Sequence, residues 1–128
     1  MASAPAKCDW LILLPDQEGA MEKRLSVRPR HFDGMQPRVD SGAWKMGGAT
    51  LDEPPAEGSP LKFNGSFIVA HAATKEEALE EIKKDVYATS GVWDLDNGDL
   101  ANAGLMPVVV VFGGKITIFP LKVAFIKP

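Results

Sequence analysis

Ser66-Phe-Ile-Val-Ala-His-Ala-Ala-Thr-Lys-Glu-Glu-Ala-Leu-Glu-Glu-Ile-Lys-Lys84 changes period in its middle, and the fold is read outward from that change. Ser66 to Ala72 is a short apolar run of the length and composition of a strand. Thr74-Lys-Glu-Glu77 is a capping box, in which the threonine hydroxyl accepts from the Glu77 backbone and the Glu77 carboxylate reaches back to the cap. The helix it opens runs to about Lys84, with Ala78, Leu79 and Ile82 on one face and Glu80 paired to Lys84 at i, i+4 on the other. A strand therefore feeds a helix that can pack back on it.

Toward the N-terminus, Cys8-Asp-Trp-Leu-Ile-Leu-Leu14 is a second apolar run, closed by Pro15-Asp16. Gln17 to Arg28 reads equally as a loop or a short helix. Pro29 suits a first helical turn. Phe32, Met35 and Val39 follow at helical spacing before Gly42, a residue suited to end a helix, so a helix is expected from about 29 to 41. Pro37 conflicts with its interior and implies a kink or an early end. Ala43-Trp-Lys-Met46 is read as a strand entering Gly47-Gly48, where a missing side chain permits a bulge or a ligand's close approach. The Pro- and Gly-containing stretch Asp52 to Gly65 is a surface loop. Beyond the central helix, Val108 to Phe112 and Ile116 to Phe119 are strand-like and joined by a Gly113-Gly114 turn, and Val123 to Ile126 is a candidate extension of the latter. Without Val108 to Phe112 the order is β-α-β-β-α-β, the ferredoxin-like α+β pattern.

Composition narrows the function classes. The 128 residues imply one domain able to bury about two thirds of its extended surface. With Cys8 alone, no intramolecular disulfide, Cys-rich zinc site or CxxC pair is available. Fourteen basic against seventeen acidic residues leave no footprint for a nucleic acid. No apolar stretch approaches the roughly 20 residues of a membrane span, and Met1 to Lys7 does not read as a signal peptide. A cytoplasmic protein that binds neither nucleic acid nor membrane is expected.

Few residues remain to carry chemistry. His31 falls at the expected start of the first helix, among Arg24, Arg28 and Arg30, where the helix dipole and the cations would receive a carboxylate, phenolate or enolate. A solvated basic loop with a surface histidine is the competing reading. His71, between Ala70 and Ala72, reads as a satisfied, partly buried core histidine, and Cys8 as a small core residue. Asp85 stands at the expected C-terminal end of a helix, where an anion is disfavoured; a broken local preference is one mark of a functional position, and an ordinary helix-end acid is the competing reading. Asp94, Asp96 and Asp99 around Asn97-Gly98 lack the glutamate of a calcium loop and read as a turn.

Glu22-Lys-Arg-Leu-Ser-Val-Arg-Pro-Arg-His31, Gly47-Gly48, Phe63-Asn-Gly-Ser66 and Asp85-Val-Tyr87 with Ala88-Thr-Ser-Gly-Val92 together resemble the YCII-related (YciI-like) family, and Ile116 to Lys122 resembles its last strand. The resemblance implies a four-stranded antiparallel sheet paired face to face with a second copy, as a dimeric α+β barrel. It also implies a catalytic His31 and Asp85 pair, with Arg28, Gly47 and Tyr87 on the substrate side. Val86 stands where the family usually has proline. Asn97 to Gly114 reads as an insertion within a single domain spanning residues 1–128. Relatives of known activity act as lyases on small oxygenated rings. The resulting expectation is His/Asp acid–base chemistry of lyase or isomerase type on a small oxygenated cyclic or enolisable substrate, with no metal or other cofactor. The alternative is a non-catalytic dimeric ligand-binding or stress-associated protein.

Overall fold

The computed structural model describes residues 6–95, 110–111 and 116–127. The elements run β1 (Cys8–Pro15), α1 (Met21–Ser41), β2 (Trp44–Leu51), β3 (Phe63–Ala72), α2 (Lys75–Lys83), α3 (Val86–Thr89), β4 (Val110–Val111) and β5 (Thr117–Leu121). The sheet order is β2-β3-β1-β5-β4, antiparallel throughout. Its first four strands are the sheet of the expected ferredoxin-like fold. Val110 and Val111 add to its edge opposite Ile118 and Thr117. The expected Gly113-Gly114 turn lies outside the described residues, as does most of the expected insertion. No helix among the described residues is long and apolar enough to cross a membrane.

Strand register divides the sheet into two faces. Ile12 opposes Ile68 on one side and Ile118 on the other, and Leu14 opposes Ser66. Ile12, Leu14, Ile68 and Ile118, with Ala70 and Ala72, pack under Val27, Ala78, Leu79, Ile82, Tyr87 and Trp93 as a single core. Leu11, Leu13, Phe67 and Phe119 point the other way, because successive side chains on a strand alternate, and stay half-buried. Close strand packing explains the glycine of Phe63-Asn-Gly-Ser66. A Cβ on Gly65 would lie 2.6 Å from the Leu14 carbonyl oxygen, a backbone atom of the neighbouring strand that cannot step aside.

Several sequence expectations need correction. The first helix begins at Met21, well before Pro29, and runs through both Pro29 and Pro37 to Ser41. Each proline deprives one carbonyl of its helical partner, that of Leu25 and that of Asp33. Both carbonyls belong to residues exposed to solvent. The helix does end at Gly42, whose φ of 85° is left-handed. The second and third strands are longer than expected, so the loop between them is 52–62. The Thr74 hydroxyl accepts from the Glu77 N–H at 3.1 Å, but no return bond runs from the Thr74 N–H to the Glu77 carboxylate, so only half of the expected capping box forms. α2 stops at Lys83, and Lys84 is its C-cap, still in the right-handed region at φ −85° and ψ −13°. The ion pairs are then Lys83–Glu80 and Lys84–Glu81, not Glu80–Lys84. The last strand passes Pro120 and ends at Leu121, and Val123 to Ile126 do not extend it.

Candidate functional site

Helical spacing on α1 builds one wall of a cleft. Arg24, Arg28, His31, Phe32, Met35 and Val39 recur at intervals of three and four residues and so share a face. That face looks onto β2 and β3, and the space between has a volume of about 370 Å³, the size of a small-molecule site. Gly47, paired with Ile68 on the helix-facing side of the sheet, contributes backbone alone to the opposite wall and leaves the ligand side of β2 open there, whereas the missing side chain of Gly48 would meet the Phe67 ring on the other face. Tyr87 and Trp93 also line it.

His31 therefore sits in the middle of α1, not at its start, and the expected help from a helix N-terminus does not exist. What positions it is Asp85. The expectation that Asp85 occupies an unfavourable helix end is also corrected. The chain begins a new helix there, and Asp85 is the N-cap of α3, its Oδ2 accepting from the Tyr87 N–H at 2.8 Å. The same Oδ2 lies 2.7 Å from His31 Nδ1. The Asp85 side chain is 0% exposed and that of His31 11%. A carboxylate accepts, so Nδ1 is the donor and Nε2 is the nitrogen left for a ligand. The Tyr87 ring stacks on the imidazole at 3.9 Å between centroids, and Trp93 meets it edge-on at 6.0 Å. Asp85 Oδ1 is buried without a partner among the described residues.

The three arginines of the segment divide into different roles. Arg24 is 4% exposed. Its Nη1 reaches both oxygens of Asp16, at 2.8 and 2.9 Å, and its Nη2 donates to Ser66 Oγ at 3.0 Å. Burial pushes the Asp16 carboxyl above the usual carboxylate range, against the opposing pull of Arg24. Arg28 is exposed at the cleft mouth, its guanidinium 5.2 Å from the Phe32 ring centre and 5.6 Å from that of Phe63. Among the described residues it has no carboxylate partner. Arg30 does not line the cleft. Burial chiefly raises the Tyr87 phenol above its ordinary value, with Arg24 and Arg28 pulling the other way, so it stays un-ionised near neutrality.

His31, Arg28, Gly47 and Tyr87 line one cleft, and Asp85 supports it through His31. Sequence reasoning did not find Asp16, Ser66, Phe63, Trp93 or the structural role of Arg24. The i, i+4, i+7 spacing of Arg24, Arg28 and His31 was a usable signal once the helix is extended back to Met21. Nothing local marks Trp93, which a bridge from Asp16 brings in. His71 is partly buried and satisfied, its Nδ1 2.8 Å from Asp9 Oδ1. Cys8 is half-buried on β1. Asp94 is buried, and no metal-binding cluster occurs among the described residues. Asp96 and Asp99 lie outside them.

Comparison with known proteins extends this picture. Aspercryptin biosynthesis cluster protein B of Emericella nidulans is 35% identical over 91 residues, covering 70% of this chain and 58% of that protein. Protein YciI of Escherichia coli is 33% identical over 89 residues, covering 66% of this chain and 87% of that one. Among solved structures, the 5-chloro-2-hydroxyhydroquinone dehydrochlorinase of Burkholderia phenoliruptrix, in complex with 2,5-dihydroxybenzoquinone, superposes with a TM-score of 0.57 at 21% identity. That likeness covers 67% of this chain and 85% of the other, and it speaks to the fold. The YCII-related domain model matches residues 8–95, the span holding every residue of the cleft just described, and the chain belongs to that family.

Proposed function

We propose that this chain is a small enzyme in which His31, oriented by Asp85, moves a proton on a small oxygenated cyclic or enolisable substrate, in a reaction of lyase or isomerase type. The observation that carries this reading is the buried 2.7 Å contact between His31 Nδ1 and Asp85 Oδ2 on the wall of a cleft. Nε2 takes a proton from the substrate, and Asp85 stabilises the imidazolium that forms. Arg28, which has no carboxylate partner among the described residues, faces the anion produced and pairs with an oxygen that gains charge. Aromatic side chains of Phe32, Phe63, Tyr87 and Trp93 suit a flat ring. A dehydrochlorinase among the fold's solved structures and a biosynthesis cluster protein among the relatives are compatible with such a substrate.

The same reading has the chain working as a homodimer. Leu11, Leu13, Phe67 and Phe119, left half-buried on the face away from the helices, are the surface a second copy would cover. Sedimentation of wild type and Leu13→Lys tests this, with a dimer and a monomer expected in turn.

The activity test is a panel of hydroxylated and chlorinated hydroquinones and lactones, read by absorbance, chloride release and exchange of substrate protons with heavy water. Turnover that falls about 10²–10⁴-fold in His31→Ala is the expected result. Arg28→Gln raises KM more than it lowers kcat. Turnover indifferent to His31→Ala overturns the mechanism. Tight binding without turnover or exchange, unchanged by His31→Ala, instead establishes a ligand-binding protein.

A further inference from the structure

Ser66 lines the cleft and is only 4% exposed. Its Oγ lies 3.0 Å from Arg24 Nη2 and 3.0 Å from Trp93 Nε1. Guanidinium and indole nitrogens can only donate, so both lone pairs of the hydroxyl are occupied. The hydroxyl proton is left the one remaining tetrahedral direction, and no described residue accepts it.

Two further features make this hydroxyl unusual. One of its donors carries a full positive charge, which polarises the O–H and makes it a stronger donor to a third group. That cation cannot swing away, because Asp16 holds Arg24 through both carboxylate oxygens. The serine itself belongs to β3, paired with Leu14 of β1 on one side and Ala49 of β2 on the other, so its backbone is fixed. A donor that is polarised and held in place on the cleft wall before the ligand arrives has the attributes of an oxyanion-stabilising group.

We propose that Ser66 contacts the substrate directly. Its O–H, polarised by Arg24 and Trp93, donates a hydrogen bond to a substrate oxygen that bears or develops negative charge. The proton stays on the serine, and proton exchange belongs to His31. Trp93 and Arg24 act through Ser66 and are positioning residues. The inference rests on the cleft being a site for an oxygen-bearing ring, and it adds that ligands are selected for an oxyanion by a hydroxyl as well as by Arg28.

Two ring probes test it, 4-nitrophenol at mildly alkaline pH, where it is ionised, and 4-nitrotoluene, which puts a methyl group in place of the oxygen. Affinity is measured by calorimetry, and the absorption band of bound nitrophenolate reports hydrogen bonding at its oxygen. Ser66→Ala is expected to weaken nitrophenolate about tenfold or more and to shift its bound spectrum. Nitrotoluene affinity should change less than about twofold, since that ligand offers the hydroxyl no oxyanion. Ser66→Thr, which keeps the hydroxyl, restores most of the loss. Trp93→Phe leaves Ser66 in place but removes one polarising donor, so it weakens nitrophenolate more than it weakens nitrotoluene, and by a smaller factor than Ser66→Ala. That variant carries the test if Ser66→Ala does not fold.

Equal losses on both probes would show a merely structural serine and overturn the proposal, as would an unchanged nitrophenolate affinity or spectrum. In either case wild-type selectivity for nitrophenolate and its loss in Arg28→Gln would leave the ring-anion reading of the cleft standing. A wild type that binds neither probe, or binds both equally, overturns that reading and the role of Ser66 together.

Discussion

Replacing Asp85 by alanine and by asparagine separates two jobs that one carboxylate oxygen performs. Oδ2 caps α3 through the Tyr87 N–H and holds His31 Nδ1, at 2.8 and 2.7 Å. Asp85→Ala removes both. Loss of an N-cap costs about 1 kcal/mol. Leaving the buried His31 N–H without an acceptor adds about 1–3 kcal/mol. The expected destabilisation is roughly 2–4 kcal/mol, or a fall in Tm of roughly 8–16 °C for a chain of this length. Asp85→Asn can place its carbonyl oxygen where Oδ2 stands and keep both hydrogen bonds. Its amide then occupies the Oδ1 position, which has no partner among the described residues, and a fully buried charge disappears. Those two effects oppose each other, and stability should stay within about 1 kcal/mol of wild type. Activity should not follow stability. Both variants lose the negative charge facing the imidazolium, so proton transfer falls about 10²–10⁴-fold in both. Urea denaturation at one fixed protein concentration measures the first effect, and turnover or proton exchange on a substrate found in the panel measures the second. An asparagine variant as unstable as the alanine one would refute the capping geometry. One with wild-type turnover would refute the use of the charge.

Two other perturbations probe the supports of the site. Arg24→Met leaves Asp16 buried without its guanidinium, and about 3–5 kcal/mol of stability should be lost at neutral pH. Burial already raises Asp16, so its folded form favours the proton. The penalty in Arg24→Met should therefore shrink as pH falls and the carboxyl is neutralised, which urea titrations across the acid range would register. Asp9 behaves oppositely, held below the usual value of 3.8 first by the hydrogen bond with His71 and then by Lys45. Its stabilising contribution is present above that value and is lost as pH falls through the lower folded one. Asp9→Asn should thus cost at most about 1 kcal/mol at neutral pH and converge on wild type in acid, as midpoints from the same titrations would show.

Local signals were legible wherever the physics is local. The cap at Thr74, the buried stripe of Ala78, Leu79 and Ile82, and the glycine stop at Gly42 each involve groups within a few residues, and each appears where the sequence places it. Pro29 misled for the same reason. Its preference for a first turn is a local rule, and it was overridden by the burial of Arg24 and Val27 on a helix that begins earlier. Asp85 misled more instructively. Read alone it ends a helix unfavourably, whereas the next helix turns the same residue into a favourable cap.

Local pattern was enough for the β-α-β-β-α-β order, the lone Cys8 for the lack of an intramolecular disulfide, and the family resemblance for which histidine and aspartate to pair. The tertiary structure decided what those residues do to one another. Fifty-four positions separate His31 from Asp85, and forty-two separate Arg24 from Ser66. No propensity or spacing rule reaches so far. Those contacts exist because antiparallel register puts Ser66 beside Leu14, and because packing lays one face of α1 along the cleft above that strand. Hydrogen bonds and charges act over a few ångströms, so their partners are fixed only when the sheet and its helices have closed around the core.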